Sequence, residues 1–155
     1  DDDVFKDGFY IPDNVYIIGT MNDIDRSVES LDFAFRRRFA FKEISVDDTQ
    51  YSILNSIKIK DKVFVDFDEL LLKMDAINEK LKDLGLSEAY YIGAAYFKKI
   101  ENYIGHQGKL TQQSFNDLWN YHLKGVLYEY FRGEADANKK LKELKKVYDE
   151  AKSQG

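Results

Sequence analysis

The sequence predicts an α/β layer, parallel-sheet strands with one helix, followed by an all-α bundle. Three observations lead there. Val15-Tyr16-Ile17-Ile18-Gly19 and Phe39-Ala40-Phe41-Lys42-Glu43-Ile44 are short, β-rich apolar runs separated by a helical stretch, the strand, helix, strand grammar of an α/β layer. From Asp47 onward the apolar period changes from two to about 3.6 residues, which is helical. At 155 residues, 44% apolar and 15% aromatic, the chain is long and greasy enough to bury a core.

The elements follow in order. Pro12-Asp13-Asn14 is a turn signal, and the run Val15 to Gly19 suits a strand buried on both faces of a parallel sheet. Ser27 can cap a helix that puts Val28, Leu31, Ala34 and Phe35 on one face and runs into Arg36, Arg37 and Arg38. Phe39 to Ile44 reads as the second strand. Further on, Phe67, Leu70, Leu71, Met74, Ile77, Leu81 and Leu84 form one apolar stripe closed by Gly85, a C-terminal stop. Tyr90 to Gly93 is an extended entry into a helix over 94–104 with Phe97, Ile100 and Ile104 on a face. The next helix starts at Thr111 or Ser114 and carries Phe115, Leu118, Trp119, His122, Val126 and Tyr130. A last one, over 135–152, has a thin stripe of Leu141, Leu144, Tyr148 and Ala151. Three regions are therefore expected: 1–46 for the α/β part, 47–134 for the helical part, and 135–155 for a C-terminal helix. The acidic opening, Asp1 to Asp7, feeds straight into a strand, which reads as a start in mid-domain.

Composition removes several functions. With no cysteine there is no disulfide, zinc ribbon or thiol chemistry, and no metal site is expected. No apolar run approaches the roughly 20 residues that cross a bilayer, so the expectation is a soluble, cytoplasmic protein with no membrane partner. A formal net charge of −5 argues against a generally basic surface for nucleic acid.

Chemistry concentrates in one stretch. Asn22 follows the first strand at its C-terminal edge, where open parallel sheets present ligand-facing groups; capping a turn is the plain alternative. Arg36, Arg37 and Arg38 are three adjacent cations at a helix end. Attraction to the helix macrodipole accounts for them at a few tenths of a kcal/mol each. The sharper account is an arginine finger, a guanidinium that reaches the nucleotide of a neighbouring subunit. Asp25 and Arg26 suit a local ion pair that orients the loop; Asn22-Asp23-Ile24-Asp25 also matches an N-x-x-D guanine-reading tetrapeptide, a pattern common by chance. Gly93 allows close backbone approach at a helix N-terminus, where free N–H groups favour phosphate, or simply gives packing clearance.

Gly19-Thr20-Met21-Asn22, Asp25-Arg26-Ser27, Leu31-Asp32 and Arg36-Arg37-Arg38-Phe39 together resemble, at matching spacings, the GTMN, DRS, LD and RRRF blocks of the McrB-type AAA+ NTPases. Ile92-Gly93-Ala94-Ala95-Tyr96-Phe97 is similar to that family's IGHSYF, and Leu118-Trp119 and Leu127-Tyr128-Glu129-Tyr130-Phe131 to its LW and LLEEYF. Two positions depart: Ala94 stands where the family commonly has His, and Gly125-Val126 replaces a proline. The resemblance implies the C-terminal part of an AAA+ αβ core and its helical lid. It makes Asn22 the sensor 1 amide that holds the attacking water, and Arg37 and Arg38 the finger, with Asp25, Arg26, Arg36 and Gly93 near the nucleotide or the subunit interface. It further implies GTP or ATP with Mg²⁺, a homo-oligomeric ring expected to be a hexamer, a McrC-like nuclease partner, and DNA read by a separate N-terminal domain.

The chain has no G-x-x-x-x-G-K-[ST] and no strand ending in Asp-Glu, so it is expected neither to bind nor to hydrolyse nucleotide by itself. Two other classes compete: a non-catalytic helical interaction module with the arginines as a docking patch, and an AAA+ motor of another purpose, a chaperone or a loader. Lys139, Lys140, Lys142, Lys145 and Lys146 alternate with Glu143, Asp149 and Glu150, which suits a solvated helix face; contact with DNA or a partner is the alternative.

Overall fold

The computed structural model describes residues 8–20, 37–59, 62–63, 68–104 and 109–152. The chain divides into two compact units, Asp1–Ser30 and Leu31–Gly155.

In the first unit the turn at Pro12 forms, closed by the Val15 N–H donating to the Pro12 carbonyl at 3.0 Å. The expected strand over Val15 to Gly19 does not: the segment joins no ladder among the described residues, and Tyr16 and Ile18 are 88% and 91% exposed. A strand meant to be buried on both faces is stable only between sheet neighbours. None of the described residues supplies one. The run Phe39 to Ile44, in the second unit, is likewise outside any ladder, with Phe39, Phe41 and Ile44 exposed. The α/β half of the expectation is therefore not realised among the described residues, and the helix expected after Ser27 lies outside them. The ladder that does form there is a two-residue antiparallel pair, β1 (Lys58–Ile59) with β2 (Lys62–Val63), in register Lys58 with Val63 and Ile59 with Lys62.

The helical half forms with sharper boundaries, except that the β1–β2 pair falls within 47–134, where only helix was expected. Helix α1 (Val46–Leu54) is opened by a capping box: the Asp48 N–H donates to Ser45 Oγ at 3.2 Å and the Ser45 N–H donates to Asp48 Oδ2 at 3.0 Å. That pairing holds the Asp48 carboxyl below its ordinary value. Helix α2 (Asp68–Asp83) buries Leu70, Met74, Ile77 and Leu81, as the stripe requires. It stops at Gly85, whose φ of +87° places it in the left-handed region. There the Leu86 N–H reaches the Leu81 carbonyl at 3.1 Å and the Gly85 N–H reaches Lys82 at 2.9 Å, the pair of bonds that closes a Schellman end.

Helix α3 (Ala94–Lys98) tightens into a 3-10 turn over Lys99–Tyr103 and buries Phe97 and Ile100. Helix α4 (Gln112–Leu118) passes through a π segment (Trp119–Leu123) into α5 (Lys124–Tyr130). Helix α6 (Ala137–Glu150) buries Ala137, Leu144 and Tyr148. In packing, α1 lies on α3, and α6 lies on both α2 and α5. Among the described residues one continuous apolar cluster joins α1 to α6, from Leu54 to Tyr148.

The π segment corrects one part of the stripe. An unbroken 3.6 period from Phe115 points His122, Val126 and Tyr130 inward, yet the buried residues are Leu123, Leu127 and Phe131. A π turn takes in one extra residue and rotates everything after it by about one position. His122, Val126 and Tyr130 consequently sit half-buried at the border.

Candidate functional site

Of the residues singled out by sequence, Asn22, Asp25, Arg26 and Arg36 lie outside the described residues. Arg37 and Arg38 form an exposed turn shortly before α1. Gly93 is the N-cap of α3, with φ −85° and ψ 165°. No hydrogen bond or ion pair among the described residues joins the arginine turn to Gly93.

Gly93 is placed by a residue that pattern reading passed over. Asn78, buried on α2, presents its amide to both backbone groups of Ile92: the Ile92 N–H donates to Oδ1 at 2.8 Å, and Nδ2 donates to the Ile92 carbonyl at 3.2 Å. An amide can do this because it donates and accepts at once, standing in for a neighbouring β-strand. The extended segment 91–93 is thereby held, and the Gly93 carbonyl accepts the first bond of α3, from the Tyr96 N–H at 3.0 Å. The packing-clearance reading of Gly93 fails on this geometry. Its φ is ordinary, and a Cβ there would meet nothing within 4 Å. The next residue, Ala94, is buried in the core, so in this chain the position that commonly holds His in the resembling family serves packing.

A second passed-over residue fixes the far side of the bundle. Lys73 is fully buried, and its Nζ donates to the carbonyls of Tyr148 and Ala151, both at 2.8 Å. The ammonium also lies 3.3 Å from Glu69 and 4.8 Å from the ring centroids of both Phe115 and Tyr148. It caps the C-terminal end of α6, where the helix dipole favours a cation. Burial lowers the Lys73 pKa, opposed by Glu69. Tyr148 in turn donates its hydroxyl to the Phe115 carbonyl at 2.9 Å, and burial raises its phenol well above the ordinary range. Asn78 and Lys73 were both legible as polar residues bordering the Leu70, Met74, Ile77, Leu81 stripe. Their partners, 14 and 75 positions away, were not.

His122, read as part of an apolar stripe, hydrogen-bonds through Nε2 to the Tyr103 hydroxyl at 2.9 Å. Burial and then Lys99 lower its pKa, which favours the neutral imidazole. The same corner holds the N-cap of α4: Ser114 accepts from the Thr111 N–H at 3.2 Å and donates to the Tyr103 carbonyl at 2.8 Å. Among the described residues no group of three or more His, Asp or Glu side chains gathers to hold a metal, and no helix is long and apolar enough to cross a membrane.

Comparison with known proteins bears on the same region. Residues 69–141 match a family model described as McrB, alpha-helical lid domain. The chain is also similar to the Type IV methyl-directed restriction enzyme EcoKMcrB subunit of Escherichia coli (strain K12), 38% identical over 96 residues that make up 59% of this chain and 20% of the relative. The chain thus spans about one-fifth of that relative's length. No solved structure matches. Residues 69–141, from Glu69 of α2 through α5 to the start of α6, thus match the McrB alpha-helical lid domain, and the likeness to the E. coli subunit supports the same assignment.

Proposed function

We propose that this chain is the sensor, finger and lid portion of an McrB-like NTPase that drives modification-dependent DNA restriction. The observation that carries the reading is the exposed turn of Arg37 and Arg38, which leads through α1 into an McrB-type lid. A guanidinium that serves a neighbour's phosphates has to face solvent in its own subunit. Asn22 then orients the attacking water in the chain's own nucleotide site, while Arg37 and Arg38 stabilise charge developing on the γ-phosphate held by the next copy of a ring, which we take to be a hexamer. Asp25, Arg26 and Arg36 line the interface between copies. Gly93, whose Cβ position is open and which follows the Ile92 backbone pinned by Asn78, lets the lid backbone come close to bound nucleotide.

The nucleotide is GTP or ATP with Mg²⁺, held by a phosphate-binding loop that this sequence does not contain. A McrC-like nuclease and modified DNA are the further partners. The likeness to a methyl-directed restriction enzyme subunit of E. coli supports a role in restriction of modified DNA.

The test is Arg37→Ala and Arg38→Ala in the full-length protein. A finger role predicts that turnover falls about 10³-fold or more while nucleotide affinity is kept. Unchanged turnover would instead make the arginines a docking patch and sink the reading. The 155-residue chain alone should show no micromolar binding of GTP or ATP with Mg²⁺ in isothermal titration.

A further inference from the structure

The alternation of charge along α6 (Ala137–Glu150) does not survive folding. Its acids are drawn off sideways or inward. Glu143 pairs with Lys80 of α2 at 2.7 Å, Asp149 is held by Lys145, and Glu134 and Asp136, just ahead of the helix, are held by Lys140. Those partner lysines are themselves turned toward the body of the bundle: Lys140 lies over the Phe131 ring at 5.0 Å and Lys145 over Trp119 at 5.6 Å. What faces solvent is Lys139, Lys142 and Lys146, all exposed, with Asn138 at the edge. Glu150 touches the last of them only at 3.8 Å. Steps of three and four residues put the three ammonium groups on one face, spread over about 10 Å of helix axis.

We propose that this lysine face of α6 is a binding surface for the phosphate backbone of double-stranded nucleic acid. Phosphates of one strand recur about every 3.4 Å along a duplex, so about 10 Å of axis meets two or three of them. The chemistry of the face selects this partner over others. A protein interface is built around desolvated apolar or aromatic anchors and is poor in lysine. The exposed positions of α6 offer no apolar anchor at all, only lysines, an amide and one acid. A membrane surface would need apolar side chains to insert between the lysines, and there are none. Long, flexible point charges suffice for phosphate, and they give no sequence reading. Lys139 lies at the end of the residues that match the family model and Lys142 and Lys146 lie beyond it, and none of the three enters the nucleotide reading above.

Fluorescence anisotropy of a labelled duplex of about 20 base pairs, titrated with the 155-residue chain, tests it. At about 50 mM salt, weak binding is expected, with Kd on the order of 10⁻⁴ to 10⁻⁶ M and equal for two unrelated sequences. A log–log salt slope of about −2 to −3 follows from two or three phosphate contacts. The triple variant K139A/K142A/K146A should weaken binding about tenfold or more and flatten the slope, with its thermal melt unchanged because all three side chains are exposed. Absence of binding at low salt overturns the proposal, as does full binding by the triple variant. Displacement of the duplex by polyglutamate at an equal concentration of charge would reassign the face to acidic protein, and a strong preference between the two sequences would mean that other residues make the contact.

Discussion

The buried Lys73 has every donor of its side-chain nitrogen engaged: two helix-end carbonyls, Glu69 and two aromatic faces share it. Removing it strips the C-terminal end of α6 of its cap and leaves a void in a packed core. Lys73→Ala should therefore cost about 3 to 5 kcal/mol. Lys73→Met keeps the stem and the packing and loses the polar contacts alone, about 1 to 3 kcal/mol. Urea denaturation of both variants checks this, and a Lys73→Met variant as stable as the parent would mean that the ammonium contributes nothing beyond its methylenes. Asn78 makes a comparable argument at the other end of α2. Asn78→Leu preserves volume but abandons both backbone groups of Ile92, so about 2 kcal/mol of stability should go. Hydrogen exchange at the Ile92 amide should rise along with it.

At the scale of elements, the irregular helix from α4 to α5 is the informative one. Its buried face jumps from Phe115, Leu118 and Trp119 to Leu123, Leu127 and Phe131 across the π segment. If the extra residue is accommodated there, deleting exposed Asn120 returns the stretch to an unbroken α-helix with both faces still inward. Its melting temperature should stay within a few degrees of the parent. Deleting exposed Glu79 from regular α2 rotates Leu81 relative to Met74 and Ile77, and that variant should lose several kcal/mol or fail to fold. The same comparison explains what was legible in the sequence. The α2 stripe and its Gly85 stop could be read because a regular helix repeats, and because a residue at positive φ that ends a helix is usually glycine. His122, Val126 and Tyr130 were misread as core because a π turn leaves no mark in a periodic pattern. The strands expected at Val15 to Gly19 and Phe39 to Ile44 were read from local β propensity. Propensity cannot report whether a sheet neighbour is present, and on neither segment does a described residue provide one. Of the site, the spacing of the arginines and Gly93 was visible, whereas Asn78 and Lys73 act through contacts far along the chain.

For the molecule as a whole, the buried phenols set an alkaline limit. Burial pushes Tyr130 up to about 12, helped by Tyr96 and Tyr90, and raises Tyr148 further. Both therefore keep their protons in the folded state through a range in which the unfolded chain, with phenols near 10, releases them. Between about pH 10 and 12 the unfolded state binds fewer protons than the folded one, so stability falls as pH rises. Lys73 acts with the opposite sign. Its lowered pKa means that the folded state binds fewer protons below the ordinary lysine value of 10.5, and stability gains as pH rises toward that point. The expected profile is a shallow rise that turns over near pH 10 and then drops steeply. Tyr148→Phe should soften the drop, because it removes one of the two phenols, at the cost of the bond to the Phe115 carbonyl at neutral pH. Urea unfolding followed by circular dichroism across pH 8 to 12, with phenolate absorbance read in parallel, measures this directly. If Tyr130 and Tyr148 ionised near pH 10 without unfolding, the core drawn around α4, α5 and α6 would be too loose to account for their burial.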